Sequence, residues 1–491
     1  MTNDESLTSK TFKGFFWSVG GKILTAIVQI VVLAVLARLI TAESFGIIQS
    51  ALVVVGFANI ISQIGIGPAL VQIQNLSDIH IRVGFTFSLV IGIVLSIGIF
   101  LTSNFIASFF NMDDLSTVLK VISVLFLFES FITVSSSIIQ RELRLKKKAI
   151  IDLSSYFFGY GFMGILFGYL GYDYWALVIA ILSQAVFKAI SYSLIQRHSF
   201  RPLWSKKELL ELFNFAGGYT LGRISSYFAL QADNIITGKY LGAEALGIYS
   251  RAYAIMTKPA SMIGDAMNLA LFPAMALRQS HPKKLINVFV NGSKMMILFS
   301  VIFSFVIATS SKEIVLVLLG KEWDEAIVPL QILGASLFFR LGYKLGAELS
   351  KATGYVNQQA FFLFLYAIAS ITGSLIGVQW GIVGVAYGIL FAIIVNYMLM
   401  TYLGLTILKI KWTYFLKNIL PEITASCIIG LAYVFIITMI RQIFNSEFTI
   451  LVISLSSYGI LLSIIFYLFG SRLKFLEILP FKEKLKRFIR S

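Results

Sequence analysis

Apolar runs of about 20 residues or more, closed by charged or Gly/Pro-rich breaks, recur fourteen times along the chain. They cover residues 15–40, 45–71, 83–110, 116–139, 149–170, 174–195, 209–237, 245–275, 286–309, 326–350, 357–378, 381–406, 418–440 and 448–469. Each is long enough for a helix at 1.5 Å per residue to cross a hydrocarbon core about 30 Å thick. The pattern therefore predicts an all-α polytopic membrane protein with about fourteen transmembrane helices and no separate soluble domain. The first run is too long for the apolar part of a cleavable signal and lacks a small-residue cleavage site, so it is expected to remain as a span.

The short loops divide by charge. One alternating set carries Arg82, Arg141 to Lys148, Arg197 to Lys207, Arg278 to Lys284, Lys351 and Lys409 to Lys417. The other holds little beyond Lys239, Lys312, Lys321 and Arg441, offset by acids such as Asp113, Asp114, Glu313, Asp324 and Glu447. The excess of Lys and Arg marks the cytoplasmic side, which places both termini inside a bacterial cytoplasmic membrane. Residues 6–16 and the basic, Phe/Leu-containing tail 472–490 are expected to lie on the inner leaflet.

Composition agrees: 58% hydrophobic and 13% charged residues lie far from the roughly 45–50% and 25% of soluble domains. The net charge of +16 comes from short loops, so it fits the inside rule and not a nucleic-acid-binding face. The lone Cys427 excludes an intrachain disulfide or cysteine cluster. His80, His198 and His281 are expected at the surface and share no motif, so no metal site is expected.

Residues 37–47 repeat at 238–248 with one constant offset: Ala-Arg-Leu-Ile-Thr-Ala-Glu-Ser-Phe-Gly-Ile against Gly-Lys-Tyr-Leu-Gly-Ala-Glu-Ala-Leu-Gly-Ile. Gly20-Gly21 and Gly217-Gly218, and Pro68-Ala69 and Pro273-Ala274, agree within small slips. Two parallel six-helix lobes follow, residues 1–206 and 207–408, around a central cavity, with residues 409–491 adding two helices and the tail.

The seventh and eighth spans carry charges where a membrane span should carry none. Arg223, Ser226, Tyr227 and Asn234 form one helical stripe with Asp233 beside it. Arg251, Lys258 and Asp265 are seven residues apart, so they share a face over roughly 21 Å. A charge at mid-membrane costs about 2.5 to more than 10 kcal/mol, so these residues face water or one another. They are either ion pairs holding helices together or a cationic cavity for an anionic cargo. Lys22, Arg223, Arg251, Lys258, Arg340 and Lys344 are the candidate cargo-binding residues, since guanidinium and ammonium groups neutralise diphosphate. Arg340, Lys344 and Glu348 make another stripe, in which Lys344 and Glu348 could pair. Asp233, Asp265 and the isolated Glu129 are candidates for ion coupling or gating. Lys188 and Lys294 are expected to snorkel to an interface. Pro259, inside the eighth span, and Pro68, after Gly65-Ile66-Gly67 in the second, are candidate hinges.

The ordered set Trp17-Ser18-Val19-Gly20-Gly21-Lys22, Arg38-Leu39-Ile40 to Phe45-Gly46, Asp233-Asn234-Ile235-Ile236-Thr237-Gly238 to Leu241-Gly242 and Leu246-Gly247-Ile248-Tyr249-Ser250 resembles the polysaccharide transporter, or Wzx-type flippase, branch of the multidrug/oligosaccharidyl-lipid/polysaccharide exporter superfamily. The resemblance covers the first twelve spans. It implies movement of undecaprenyl-diphosphate-linked oligosaccharide from the cytoplasmic to the periplasmic leaflet by alternating access, for O-antigen, capsule or exopolysaccharide synthesis. It also implies polysaccharide polymerase and glycosyltransferases as partners, no cofactor, and possible coupling to an H⁺ or Na⁺ gradient. A cation-coupled multidrug exporter of the same superfamily is the alternative, but it would favour an acidic cavity. A membrane polymerase or ligase would place its chemistry in a large outside loop, and the longest outside segment, about 310–325, contains no histidine. The reading is therefore a transporter and not an enzyme.

Overall fold

The computed structural model describes residues 20–62, 66–214 and 220–469, and these residues contain helices and turns but no strand. The expected leaflet-bound segments 6–16 and 472–490 lie outside them. The helices are α1 (Gly20–Leu36), α2 (Ala42–Ser62), α3 (Ile66–Gln72), α4 (Asp78–Phe110), α5 (Asp113–Ile122), α6 (Leu125–Arg141), α7 (Leu145–Ser154), α8 (Met163–Tyr169), α9 (Tyr174–Ile195), α10 (Lys206–Asn214), α11 (Thr220–Ala276), α12 (Pro282–Thr309), α13 (Ser311–Leu318), α14 (Ile327–Ala335), α15 (Leu337–Thr353), α16 (Val356–Gly377), α17 (Gly381–Leu408), α18 (Trp412–Ile443) and α19 (Glu447–Phe469). Among the described residues nine helical stretches are long and apolar enough to cross a membrane, and Gly20–Leu36 and Glu447–Ile460 are shorter apolar helices. The chain is a multi-pass membrane protein, as its apolar runs predict.

Packing gathers the chain into two compact units, Met1–Tyr227 with Asn234–Ser250, and Phe228–Asp233 with Arg251–Ser491. This division falls inside α11. The lobe boundaries at 206 and 408 instead follow the sequence repeat, a different property.

In the first unit α4 packs on α5 and α6, and α6 also packs on α3 and α9. A π-helical stretch, Ser155–Phe162, joins α7 to α8 and packs along α9. Arg141 ends α6 by donating from Nη1 to the carbonyls of Leu70 (3.0 Å) and Val71 (3.1 Å) and from Nη2 to Gln74 (3.1 Å). A cation thus satisfies the open carbonyls after α3, where the helix dipole is negative.

The two copies of the sequence repeat meet in this unit. α2 begins at Ala42, and Gly242, at φ 86° and ψ −175°, breaks α11 so that its second half begins at the equivalent Ala243. A Cβ on Gly46 would lie 1.7 Å from the Ala243 carbonyl oxygen, and one on the equivalent Gly247 would lie 1.8 Å from that of Ala42. Each copy therefore presses a glycine against the first residue of the other's helix, and only hydrogen fits there.

In the second unit α12 packs on α15 and α18, and α17 packs on α15 and α16. α16 and α17 cross through Gly373, Gly377, Gly384 and Gly388, where added Cβ atoms would meet facing carbonyl oxygens at 2.0–2.6 Å. Three ion pairs tie the last two helices to this unit: Lys294 to Glu422 (3.4 Å), Arg441 to the buried Glu313 (2.7 Å) and Lys312 to Glu447 (3.1 Å). Lys294 therefore pairs within the protein and does not snorkel: Glu422 on α18 lies closer than the interface.

Candidate functional site

Four of the predicted cations belong to the second unit. α11 contributes Arg251 and Lys258 seven residues apart, near enough for their like charges to act on each other. α15 contributes Arg340 and Lys344. The Arg340 guanidinium donates from Nη2 to the Tyr253 hydroxyl at 2.9 Å and stands 4.9 Å from the centre of that ring. Tyr343 and Tyr366 lie within its field, and its buried Nε has no hydrogen-bond partner among the described residues. Lys344 reaches α11, with its ammonium seated where a Cβ of Gly264 would be, 1.9 Å from that position. Asp233 is 1% exposed and acts electrostatically on Tyr253 and Tyr366. Glu348 bonds Lys351 at 2.8 Å. α11 and α15 thus present guanidinium, ammonium and phenol groups in one region. A stacked, hydrogen-bonded arginine keeps donors to spare for a planar or tetrahedral oxyanion.

The remaining predicted residues are placed as follows. Arg223, Pro259 and Asp265 lie on α11, and their side chains are outside the described residues. Lys22 is exposed on α1 and acts electrostatically on Lys148 of α7. The two helices touch beside it, since a Cβ on Gly21 would lie 2.8 Å from that of Ala149. Pro68 lies in α3 and lines a cavity of the first unit.

That cavity, of about 430 Å³, is bounded by α3, α6, α7 and α9 and holds Glu129, Lys148, Asp152, Lys188 and Tyr192. Lys188 lies 3.5 Å from Asp152, and the buried Tyr192 hydroxyl donates to the same carboxylate oxygen at 3.1 Å. Lys188 is therefore a cavity residue and not an interface anchor, because an acid waits for it on the neighbouring helix. Asp152 and Tyr192 were not singled out from the sequence. The available signal was one isolated charge in each of three successive apolar runs: Glu129, Asp152 and Lys188.

Two histidines also differ from the surface expectation. His80 is buried, 2.9 Å from Glu211 and 2.7 Å from the Ser77 hydroxyl, with which it caps α4. His198 lies 3.1 Å from the Ser135 hydroxyl and packs among Phe85 and Phe200. Both are structural residues in helix-terminal contacts. Among the described residues no cluster of histidine, cysteine and acids suits a metal ion.

Comparison with known proteins fits this architecture. Residues 35–328 match the family described as polysaccharide biosynthesis protein. The teichuronic acid biosynthesis protein TuaB of Bacillus subtilis is 23% identical over 87% of this chain and 89% of its own. The lipopolysaccharide biosynthesis protein WzxC of Escherichia coli is 25% identical over 80% of each. Among solved structures, the lipid II flippase MurJ in an inward closed conformation superposes with a TM-score of 0.74 at 14% identity, covering 91% of this chain and 98% of MurJ. An inward-facing multidrug MATE transporter of the MOP superfamily gives 0.63 at 13% identity, covering 80% and 98%. At such identities these structures share the fold alone. With the family match spanning more than half of its length, the chain belongs to the polysaccharide biosynthesis protein family.

Proposed function

We propose that the protein is a flippase that moves an undecaprenyl-diphosphate-linked oligosaccharide from the cytoplasmic to the periplasmic leaflet of a bacterial inner membrane, for surface polysaccharide synthesis. The observation that carries the reading is the gathering of Arg251, Lys258, Arg340 and Lys344 on α11 and α15 inside a membrane-spanning unit. Four cations on membrane helices suit a diphosphate, whereas a cationic drug would meet repulsion. The names of TuaB and WzxC, which refer to teichuronic acid and lipopolysaccharide biosynthesis, and that of MurJ, a lipid II flippase, support the same substrate class.

The roles divide by charge. Arg251 and Lys258 hold the diphosphate, Arg340 and Lys344 its glycan-proximal side, and Lys22 and Arg223 meet it at entry. Residues 1–206 and 207–408 act as the alternating lobes, with Pro68 and Pro259 as hinges and Asp233, Asp265 and Glu129 coupling transport to an H⁺ or Na⁺ gradient. Both termini are cytoplasmic, and polymerase and glycosyltransferases of the same polysaccharide act alongside. The protein transfers lipid without making or breaking a covalent bond, so it is not an enzyme.

Native mass spectrometry in lipid nanodiscs tests the cargo. The lipid-linked oligosaccharide should be retained and a cationic dye of multidrug exporters should not. Loss of one charge-assisted contact, as in Lys258→Gln, should weaken retention about 10- to 200-fold. Equal retention of the neutral-headed lipid alcohol, or tighter binding of the dye, would overturn the reading.

A further inference from the structure

The cavity of the first unit holds a carboxylate that the cargo reading does not use. Glu129 lines it from α6, and its carboxylate has no hydrogen-bond partner among the described residues. The neighbouring hydroxyls cannot supply one, because each spends its proton on the backbone. Thr133 donates to the Glu129 carbonyl (2.8 Å), and Ser136 (3.1 Å) and Ser137 (2.7 Å) donate to that of Thr133. They offer the cavity lone pairs only. A carboxylate facing acceptors is complete when it carries a proton or binds a cation.

The charges around it decide between these. α7 supplies Lys148, which bonds Gln140 at 2.8 Å, and Asp152; α9 supplies Lys188 and Tyr192; α3 contributes only the neutral Gln72 and Pro68; and Lys22 of α1 acts on Lys148. The charges that act on Glu129 itself are Lys188 and Asp152. A resident ammonium repels a metal ion and leaves it few places in a coordination shell of hard oxygens. A proton needs no such shell.

We infer that Glu129 is a proton-binding site whose occupancy is exchanged against Lys188, with Asp152 as the lysine's alternative partner. With the proton bound, Glu129 is neutral and Lys188 rests on Asp152, as in this structure at 3.5 Å. On release the proton passes to cavity water, no other bond changes, and the new carboxylate competes for the lysine ammonium. The four-carbon stem of Lys188 lets it swing from α7 to α6, and Tyr192 keeps a hydrogen bond on Asp152 when the lysine leaves. One proton then decides which helix α9 is tied to. Such a link between protonation and helix pairing lets a gradient bias two conformations.

The test is pH-difference infrared spectroscopy of the full-length protein in liposomes, without cargo, so a wrong cargo assignment leaves its outcome readable. The wild type should show a protonated-carboxyl stretching band that disappears as pH rises and is missing in Glu129→Gln. Lys188→Gln should keep the band and raise its midpoint by about 1 to 3 pH units, because an adjacent cation has been removed. The second variant retains Glu129 and reports even where the first is poorly folded. An unchanged band in Glu129→Gln, or an unmoved midpoint in Lys188→Gln, would overturn the inference. Loss of the band on adding Na⁺ at fixed pH would do the same, assigning the cavity to a metal cation.

Discussion

Replacing Gly46 by alanine puts a methyl group where the backbone of the other repeat copy already is. Its Cβ would lie 1.7 Å from the Ala243 oxygen, 2.5 Å from the carbonyl carbon and 3.0 Å from Cα. Because Cβ atoms essentially never approach within 3.0 Å, α2 and the start of the second half of α11 must separate by at least about 1.3 Å. The obstacle is backbone on both sides, so no side chain can turn away. Overpacking typically costs about 1–3 kcal/mol, and a rigid contact belongs at the upper end. If the crossing exists in one transport state only, about 3 kcal/mol shifts the balance between states by roughly 100-fold. The assay is the rate at which a membrane-impermeant maleimide labels a cysteine at Ala243, on the face read as outside. Gly46→Ala should speed labelling strongly, the equivalent Gly247→Ala should do so equally, and the double variant should add little because both act on one crossing. Unchanged labelling in both single variants would show that the crossing seen here is not a populated state of the protein in a membrane.

The other predictions concern stability and topology. Glu313→Gln should lower stability by about 1.5–3 kcal/mol in thermal unfolding, because the two-point contact to Arg441 at 2.7 and 2.9 Å is lost and that arginine is 34% exposed and so partly rescued by water; an unchanged midpoint would mean the pair contributes nothing. Burial holds the His198 imidazole below its usual range, with a smaller opposite effect from the Ser199 carbonyl. The unfolded chain then binds the proton first, so the stability that depends on a neutral His198 is present above about pH 6.5 and falls below it. His198→Gln should therefore lose less thermal stability than wild type between pH 7.5 and 5.5, and an identical loss would remove His198 from the account. A cysteine at Lys147 should react with impermeant reagent only after the membrane is opened; labelling in intact cells would reverse the topology.

Much of this molecule was legible in its sequence because lipid imposes a simple rule: a spanning helix is a long apolar run, and the run limits fall close to the helix limits. The repeat at residues 37–47 and 238–248 was equally readable, and its two glycines turned out to face each other's helix start. Partnerships were less legible. Lys188 and Lys294 read as interface anchors, since a run of letters shows the depth of a charge but not the acid on the adjacent helix, Asp152 and Glu422. His80 and His198 read as loop residues for the same reason: their burial comes from α10 and from the Phe85 and Phe200 rings, which are distant in sequence. The glycines joining α16 to α17 read as ordinary membrane glycines until their register across the hairpin was known. At the candidate site, the seven-residue spacing of Arg251 and Lys258 announced a shared face, whereas Tyr253 under Arg340 and the seat of Lys344 on Gly264 needed the packing of α15.

The central claim is that the cations of α11 carry a lipid diphosphate across the bilayer. Proteoliposomes holding a fluorescent undecaprenyl-diphosphate-linked saccharide test it most directly, with a membrane-impermeant quencher reporting how much of the lipid has changed leaflet. The wild type should move lipid beyond the quencher's initial reach, and Arg251→Gln and Lys258→Gln should slow that movement about 10- to 200-fold while remaining inserted and folded. Transfer at the wild-type rate by the double variant, or by protein-free liposomes, would contradict the account.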